Sequence, residues 1–185
     1  MKRAPGMFLA MVLALGTGMA FALPADQATA NDNQRLQQRL SGEVRHQLVM
    51  IPEFSIFDNL TYEVNGGTVT LSGQVRNAVI KSEAESAVKH LEGVERVNNQ
   101  IEVLPASFND DRIRRQVARA VYNQAPEYAI QPVPPIHIIV KNGHVDLVGV
   151  VGNQMDKNLA FIRANGVPGV FSVNNNLQVE ASKKG

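Results

Sequence analysis

The 185-residue sequence contains no cysteine and no tryptophan. The missing cysteine removes at once a disulfide scaffold, a cysteine-ligated zinc or iron–sulfur site, and a thiol nucleophile. It does not decide the compartment, because an exported protein need not use disulfides. Aromatic residues make up only 5% of the chain. Charge of one sign is not in excess either. Eighteen Lys and Arg face 17 Asp and Glu, a formal net charge of +1. That leaves little electrostatic footprint for bulk nucleic-acid binding, and no nucleic-acid partner is expected. Catalytic signatures are missing as well: there is no G-x-S-x-G, no H-E-x-x-H and no P-loop. His46, His90, His137 and His144 are scattered singly, without metal-ligand spacing. The expectation is a protein with no metal, no cofactor and no enzymatic activity. Apolar residues at 44% and charged residues at 19% lie near globular averages, which excludes disordered and fibrous classes.

Residues 1–22 have the form of a cleaved secretory signal peptide. Lys2 and Arg3 give a positive start, Met7–Leu15 is a nine-residue apolar run, and Ala20-Phe21-Ala22 is an A-x-A cleavage pattern. A spanning helix needs ~20 apolar residues, so this core is too short, and Gly16 and Gly18 close it. Without a cysteine, acylation as a lipoprotein is excluded. The mature chain is expected to hold no transmembrane segment and to open with a flexible lead-in over 23–32.

The rest is an internal repeat. At an offset of 76, Gly67, Val69, Leu71, Gly73 and Val75 meet Gly143, Val145, Leu147, Gly149 and Val151. Gly93, Val94, Val97, Asn98 and Asn99 meet Gly169, Val170, Val173, Asn174 and Asn175. Upstream the offset shortens: Pro52 and Phe54 meet Pro126 and Tyr128, while Leu40, Val44 and Leu48 meet Ile113, Val117 and Val121. Each unit reads helix, strand, strand, helix, strand. In unit one, Leu36, Leu40, Val44 and Leu48 form one apolar helical stripe. Alternating residues on either side of Asn65-Gly66-Gly67, and of Asn142-Gly143, predict hairpins. The second helices span about 77–91 and 153–165, and the last strands 94–104 and 170–180. Asp110 or Asp111 can cap the helix that opens unit two. Gly73 and Gly149, inside strands, suit a bulge or a close backbone approach. The last strand of each unit returns by a crossover, which gives a three-stranded mixed sheet with two helices on one face. The fold class expected is α+β, as two tandem two-layer sandwiches: a first domain at 33–104, a linker at 105–110, a second domain at 111–181 and a tail at 182–185. At ~70 residues each core is marginal alone, so the units are expected to pack together.

The order α-β-β-α-β, with Val69-Thr-Leu-Ser-Gly-Gln-Val75 leading to Gly93-Val-Glu-Arg-Val-Asn98, resembles the BON domain. Unit two repeats it as Val145-Asp-Leu-Val-Gly-Val-Val151 and Gly169-Val-Phe-Ser-Val-Asn174. The pair resembles the tandem domains of osmotically inducible periplasmic proteins. That resemblance implies a non-catalytic periplasmic protein, linked to phospholipid binding, cell-envelope integrity and osmotic-stress protection. Pro132, Pro134 and Pro135 depart from the pattern and lengthen the loop before the first strand of unit two.

Charge is divided between the units. Residues 31–109 carry 7 basic and 10 acidic residues, and residues 110–185 carry 9 and 6. Arg112, Arg115 and Arg119 follow i, i+3, i+7 spacing, with Arg114 nearby. Such a face can hold anionic phospholipid headgroups, and it can equally be solvated or turned towards acidic unit one. Apolar residues are divided too. Val148 and Val150 replace Ser72 and Gln74, and Leu159, Phe161 and Ile162 replace Glu83, Glu85 and Ser86. These five are a candidate contact surface for lipid or an envelope protein. They could also serve packing between units, or the core.

Overall fold

The computed structural model describes residues 25–131 and 134–180. The expected signal peptide, Pro132 and the tail lie outside the described residues. Unit one runs α1 (Ala25–Val49), β1 (Asn59–Asn65), β2 (Thr68–Val75), α2 (Ala78–Lys89), β3 (Arg96–Asn99) and β4 (Glu102–Val103). Unit two runs α3 (Phe108–Tyr122), α4 (Pro126–Ala129), β5 (Ile136–Lys141), β6 (His144–Val151), α5 (Gln154–Asn165) and β7 (Ser172–Val179).

Both sheets are mixed, as expected. β1 is antiparallel and β3 and β4 are parallel to β2; β5 is antiparallel and β7 parallel to β6. In unit one the last strand is broken at Gln100–Ile101, so its sheet counts four strands. The register survives the break, since Arg96 faces Thr68 and Val103 faces Val75. The helix α1 begins at Ala25, which corrects the flexible lead-in for residues 25–32. Ala25, Ala28 and Ala30 favour a helix, and no Pro or Gly separates them from the stripe that follows.

The strand alternation fixes which face is buried. Val69, Leu71 and Val75 of β2 point inward beneath Leu40, Val44 and Leu48 of α1 and Ile80, Ala84 and Val88 of α2. Leu36, the first member of the expected stripe, is instead exposed. In unit two, Val145, Leu147 and Val151 lie beneath Ile113, Val117 and Val121 of α3 and Ala160 and Ala164 of α5. Each such buried Leu or Ile is worth about 1.5–3 kcal/mol relative to exposure.

The repeated glycine in β2 and β6 has a steric cause. Gly73 and Gly149 have φ of 109° and 130°. A Cβ at either would overlap a carbonyl oxygen on the neighbouring strand, that of Asn59 or Pro135. Close backbone approach, rather than a two-for-one bulge, is what the strand glycine permits. The repeated asparagine near the end of each unit also has a use. Asn99 donates Nδ2 to the Lys81 carbonyl of α2, and its Oδ1 accepts the Ile101 N–H. Asn175 does the same with Lys157 of α5 and Leu177. One side chain thereby ties helix to strand in each unit.

Candidate functional surface

The helix α3 is capped by Ser107, whose Oγ accepts the Asp110 N–H at 3.2 Å. Asp110 is therefore not the cap. Its carboxylate, almost fully buried, accepts the N–H groups of Asn142 and Gly143, each at 2.9 Å. Both turn residues have positive φ, so their amides point the same way and one carboxylate satisfies the pair.

Ile113, Val117 and Val121 bury the inner stripe of α3. The opposite face carries Arg112, Arg115 and Arg119, all exposed. Among the described residues Arg112 bonds neutral side chains, Asn109 Oδ1 at 2.7 Å and Gln116 Oε1 at 3.2 Å. Among the described residues no carboxylate pairs with any of these three arginines.

Arg114 is a correction to the expected site. It is 3% exposed, with Nη1 2.6 Å from Asp111 Oδ1 and Nη2 donating to the Val140 carbonyl at 2.6 Å. It ties α3 to β5. The buried face of α3 spans Asp110, Ile113, Arg114, Val117 and Val121. That is wider than a four-residue stripe, and position 114 falls inside it.

The five expected contact residues do not form one surface. Val148 and Val150 alternate with inward Leu147 and Val151, so they lie on the sheet face away from the helices. Leu159, Phe161 and Ile162 belong to α5, on the helical side. Ile162 is 62% exposed, Val150 43% and Phe161 38%; Val148 and Leu159 are half-buried. Ala160 and Ala164, not Leu159 and Ile162, supply the core stripe of α5.

Three exposed residues escaped the sequence reading. Phe108, 97% exposed, is the first residue of α3. Placed in a linker, it was not counted on the helix. Yet 108, 112, 115 and 119 follow i, i+4, i+7, i+11 and share one face. Phe171 is also exposed, two residues beyond Gly169, whose backbone lies against the Arg112 guanidinium. Arg163 of α5 and Arg119 both line an open groove of about 480 Å³, whose apolar lining includes Ala120, Ile162, Val167 and Pro168. The result is a cationic and apolar helical face along α3 and α5.

The perturbed side chains belong to the packing. Burial pushes Tyr122 up to about 12, and its hydroxyl donates to the Ile136 carbonyl. Burial, then the hydrogen bond to Asp156, raises Tyr128 above its usual 10.0. Among the described residues no group of three or more His, Cys, Asp or Glu could hold a metal ion, and no helix is long and apolar enough to cross a membrane.

The family model of the BON domain matches residues 37–105 and again 109–181. No curated protein matches the chain. Two solved structures of CdsD, a structural protein of the type III secretion system of Chlamydia trachomatis, are similar at low identity. The C-terminal domain is 15% identical, covers 76% of this chain and 96% of that one, and has a TM-score of 0.31. The other is 16% identical, covers 75% and 91%, and has a TM-score of 0.28.

Proposed function

The chain belongs to the BON domain family, and from that premise we propose that it attaches peripherally to anionic phospholipid through the α3–α5 face of unit two. Proteins of this family are typically periplasmic or envelope-associated, and their domains are generally non-catalytic binding domains. The export-type segment at residues 1–22 agrees with a periplasmic location after cleavage. On this reading the protein supports envelope integrity or osmotic-stress protection, without a cofactor.

The carrying observation is Phe108, Arg112, Arg115 and Arg119 on one exposed helix face, with no acidic partner among the described residues. Basic residues near an anionic leaflet contribute about 1 kcal/mol each. An exposed aromatic beside them can enter the headgroup boundary. Vesicle co-sedimentation tests the reading. Recovery on phosphatidylglycerol-containing vesicles is expected to exceed recovery on zwitterionic vesicles and to fall as salt rises. Replacing Arg112, Arg115 and Arg119 together by Ala abolishes the difference. Equal, salt-insensitive recovery on both vesicle types sinks the proposal.

A second reading is a protein contact through the outer sheet face, favoured by exposed Val150 where unit one carries Gln74. Capture of an envelope protein that survives high salt, and is lost in Val150→Lys, supports it.

A further inference from the structure

The units are joined by more than their linker. The loop from Ile51 to Asp58, leading from α1 to β1, lies against the edge of β5. Ile138 donates its N–H to the Ile56 carbonyl at 2.7 Å, as in an added strand. Phe57 packs onto the core of unit two, and the Arg76 guanidinium sits 5.3 Å from the centre of its ring. The loop is held in this shape by Asp58, which is fully buried. Its carboxylate accepts from Ser55 N at 3.1 Å, Ser55 Oγ at 2.7 Å and the Arg76 backbone N–H at 2.8 Å.

His137 precedes Ile138 on β5 and faces the loop. Its ring lies 5.5 Å from that of Phe54, close to the backbone of Asp58 and Ser55. Its Nδ1 is buried and, among the described residues, has no partner. A neutral imidazole suits this setting, because the buried Nδ1 can stay unprotonated and strand no N–H there. An imidazolium does not: it would bury a second N–H without an acceptor, together with a charge. Burial lowers the ring below its usual 6.5, against smaller opposing effects of that backbone and of Asp58. The charged groups around it are few. Asp58 faces it from the loop, with Arg76 Nη2 3.8 Å behind that carboxylate. Across the ladder on β6 stands uncharged Val148. Farther along β5, Lys141 is paired with Glu102 of unit one at 2.5 Å.

We infer that protonation of His137 releases the 51–58 loop from β5, so that mild acid uncouples the two units while each stays folded. The released state binds the extra proton more readily, so docking is complete above the ordinary histidine value and is lost as pH falls below it. One proton can shift this equilibrium by at most about tenfold per pH unit.

Amide hydrogen exchange on the full chain at pH 7.5 and 5.0, corrected for intrinsic rates, tests this. Ile138 is expected to lose at least threefold in protection at pH 5.0, while central strands β2 and β6 keep theirs. His137→Phe and His137→Asn are expected to remove the pH dependence. In the unsubstituted protein, the ring of His137 and the Ile138 N–H are expected to titrate with one midpoint by NMR. That measurement stands if neither variant folds. Unchanged Ile138 protection overturns the inference, as do different midpoints, or a pH response that persists in a folded variant.

Discussion

Units one and two share an interior and differ on the outside. Inward positions of β2 and β6 match residue for residue: Val69, Leu71 and Val75 against Val145, Leu147 and Val151. The first helices do not match outside. At the places of Arg112, Arg115 and Arg119, unit one has Arg39, Gly42 and His46, and Arg39 lies near Glu43 and Glu92 at 3.8 and 3.9 Å. On the second helices, Ile162 is exposed where unit one has Ser86, while Met155 and its counterpart Val79 are both exposed. A duplicated sandwich is constrained where side chains fill a shared interior and free to change where they meet solvent. The outside of unit two is therefore the place to look for binding.

If the interiors are equivalent, equal damage should cost the same. Leu71→Ala and Leu147→Ala each remove a fully buried side chain and are expected to cost about 2–5 kcal/mol. Urea unfolding of the two variants checks this. A gap of more than about 3 kcal/mol would break the equivalence, because it exceeds the whole range expected of such a change.

One packed pair differs in polarity between the units, and it sharpens the comparison. Phe54 and Ile80 of unit one correspond to Tyr128 and Asp156 of unit two, where Tyr128 donates to Asp156 Oδ2 at 2.5 Å and accepts the Gly152 N–H at 2.8 Å. Tyr128→Phe alone strands these partners and is expected to cost about 1–3 kcal/mol. Adding Asp156→Ile restores the apolar pair of unit one and should recover much of that loss. A double-mutant cycle by thermal unfolding measures the coupling. Additive effects would mean that the polar pair does not act as a unit.

These cases show what pattern carries. The hairpins, the mixed sheets and the two-helix layer were legible, because alternation and four-residue spacing report which face of an element is buried. The break at Gln100–Ile101 and the short helix α4 left no such signal. Arg114 misled because a charged residue beside an apolar stripe looks solvated; its partners, Asp111 and the Val140 carbonyl, come from the helix turn and from a strand 26 residues away. Phe108 was hidden by a boundary placed three residues too late. Asn99 and Asn175 were visible as repeats, but their task depends on a helix carbonyl that the spacing does not name. The docking of 51–58 on β5 is non-local and had no counterpart in periodicity.

The two asparagines give a smaller test of the likeness. Asn99→Ala and Asn175→Ala each remove a helix-to-strand tie and are expected to cost about 1 kcal/mol. Exchange of the Ile101 and Leu177 amides should quicken in the matching unit alone. Acceleration in both units would mean that the two interiors communicate more strongly than separate cores allow.

The smallest expected effect on stability falls where the units differ most. Arg112→Ala and Arg115→Ala remove exposed side chains without an acidic partner among the described residues, so folding should change by less than about 0.5 kcal/mol. Arg39→Ala in unit one should be equally mild, since exposed pairs near 4 Å contribute little. The contrast should appear in binding instead: the unit-two variants lose recovery on phosphatidylglycerol-containing vesicles and Arg39→Ala does not. If Arg39→Ala weakened vesicle binding as much as Arg112→Ala, the basic residues would act through net charge alone, and the α3 face would lose its special standing.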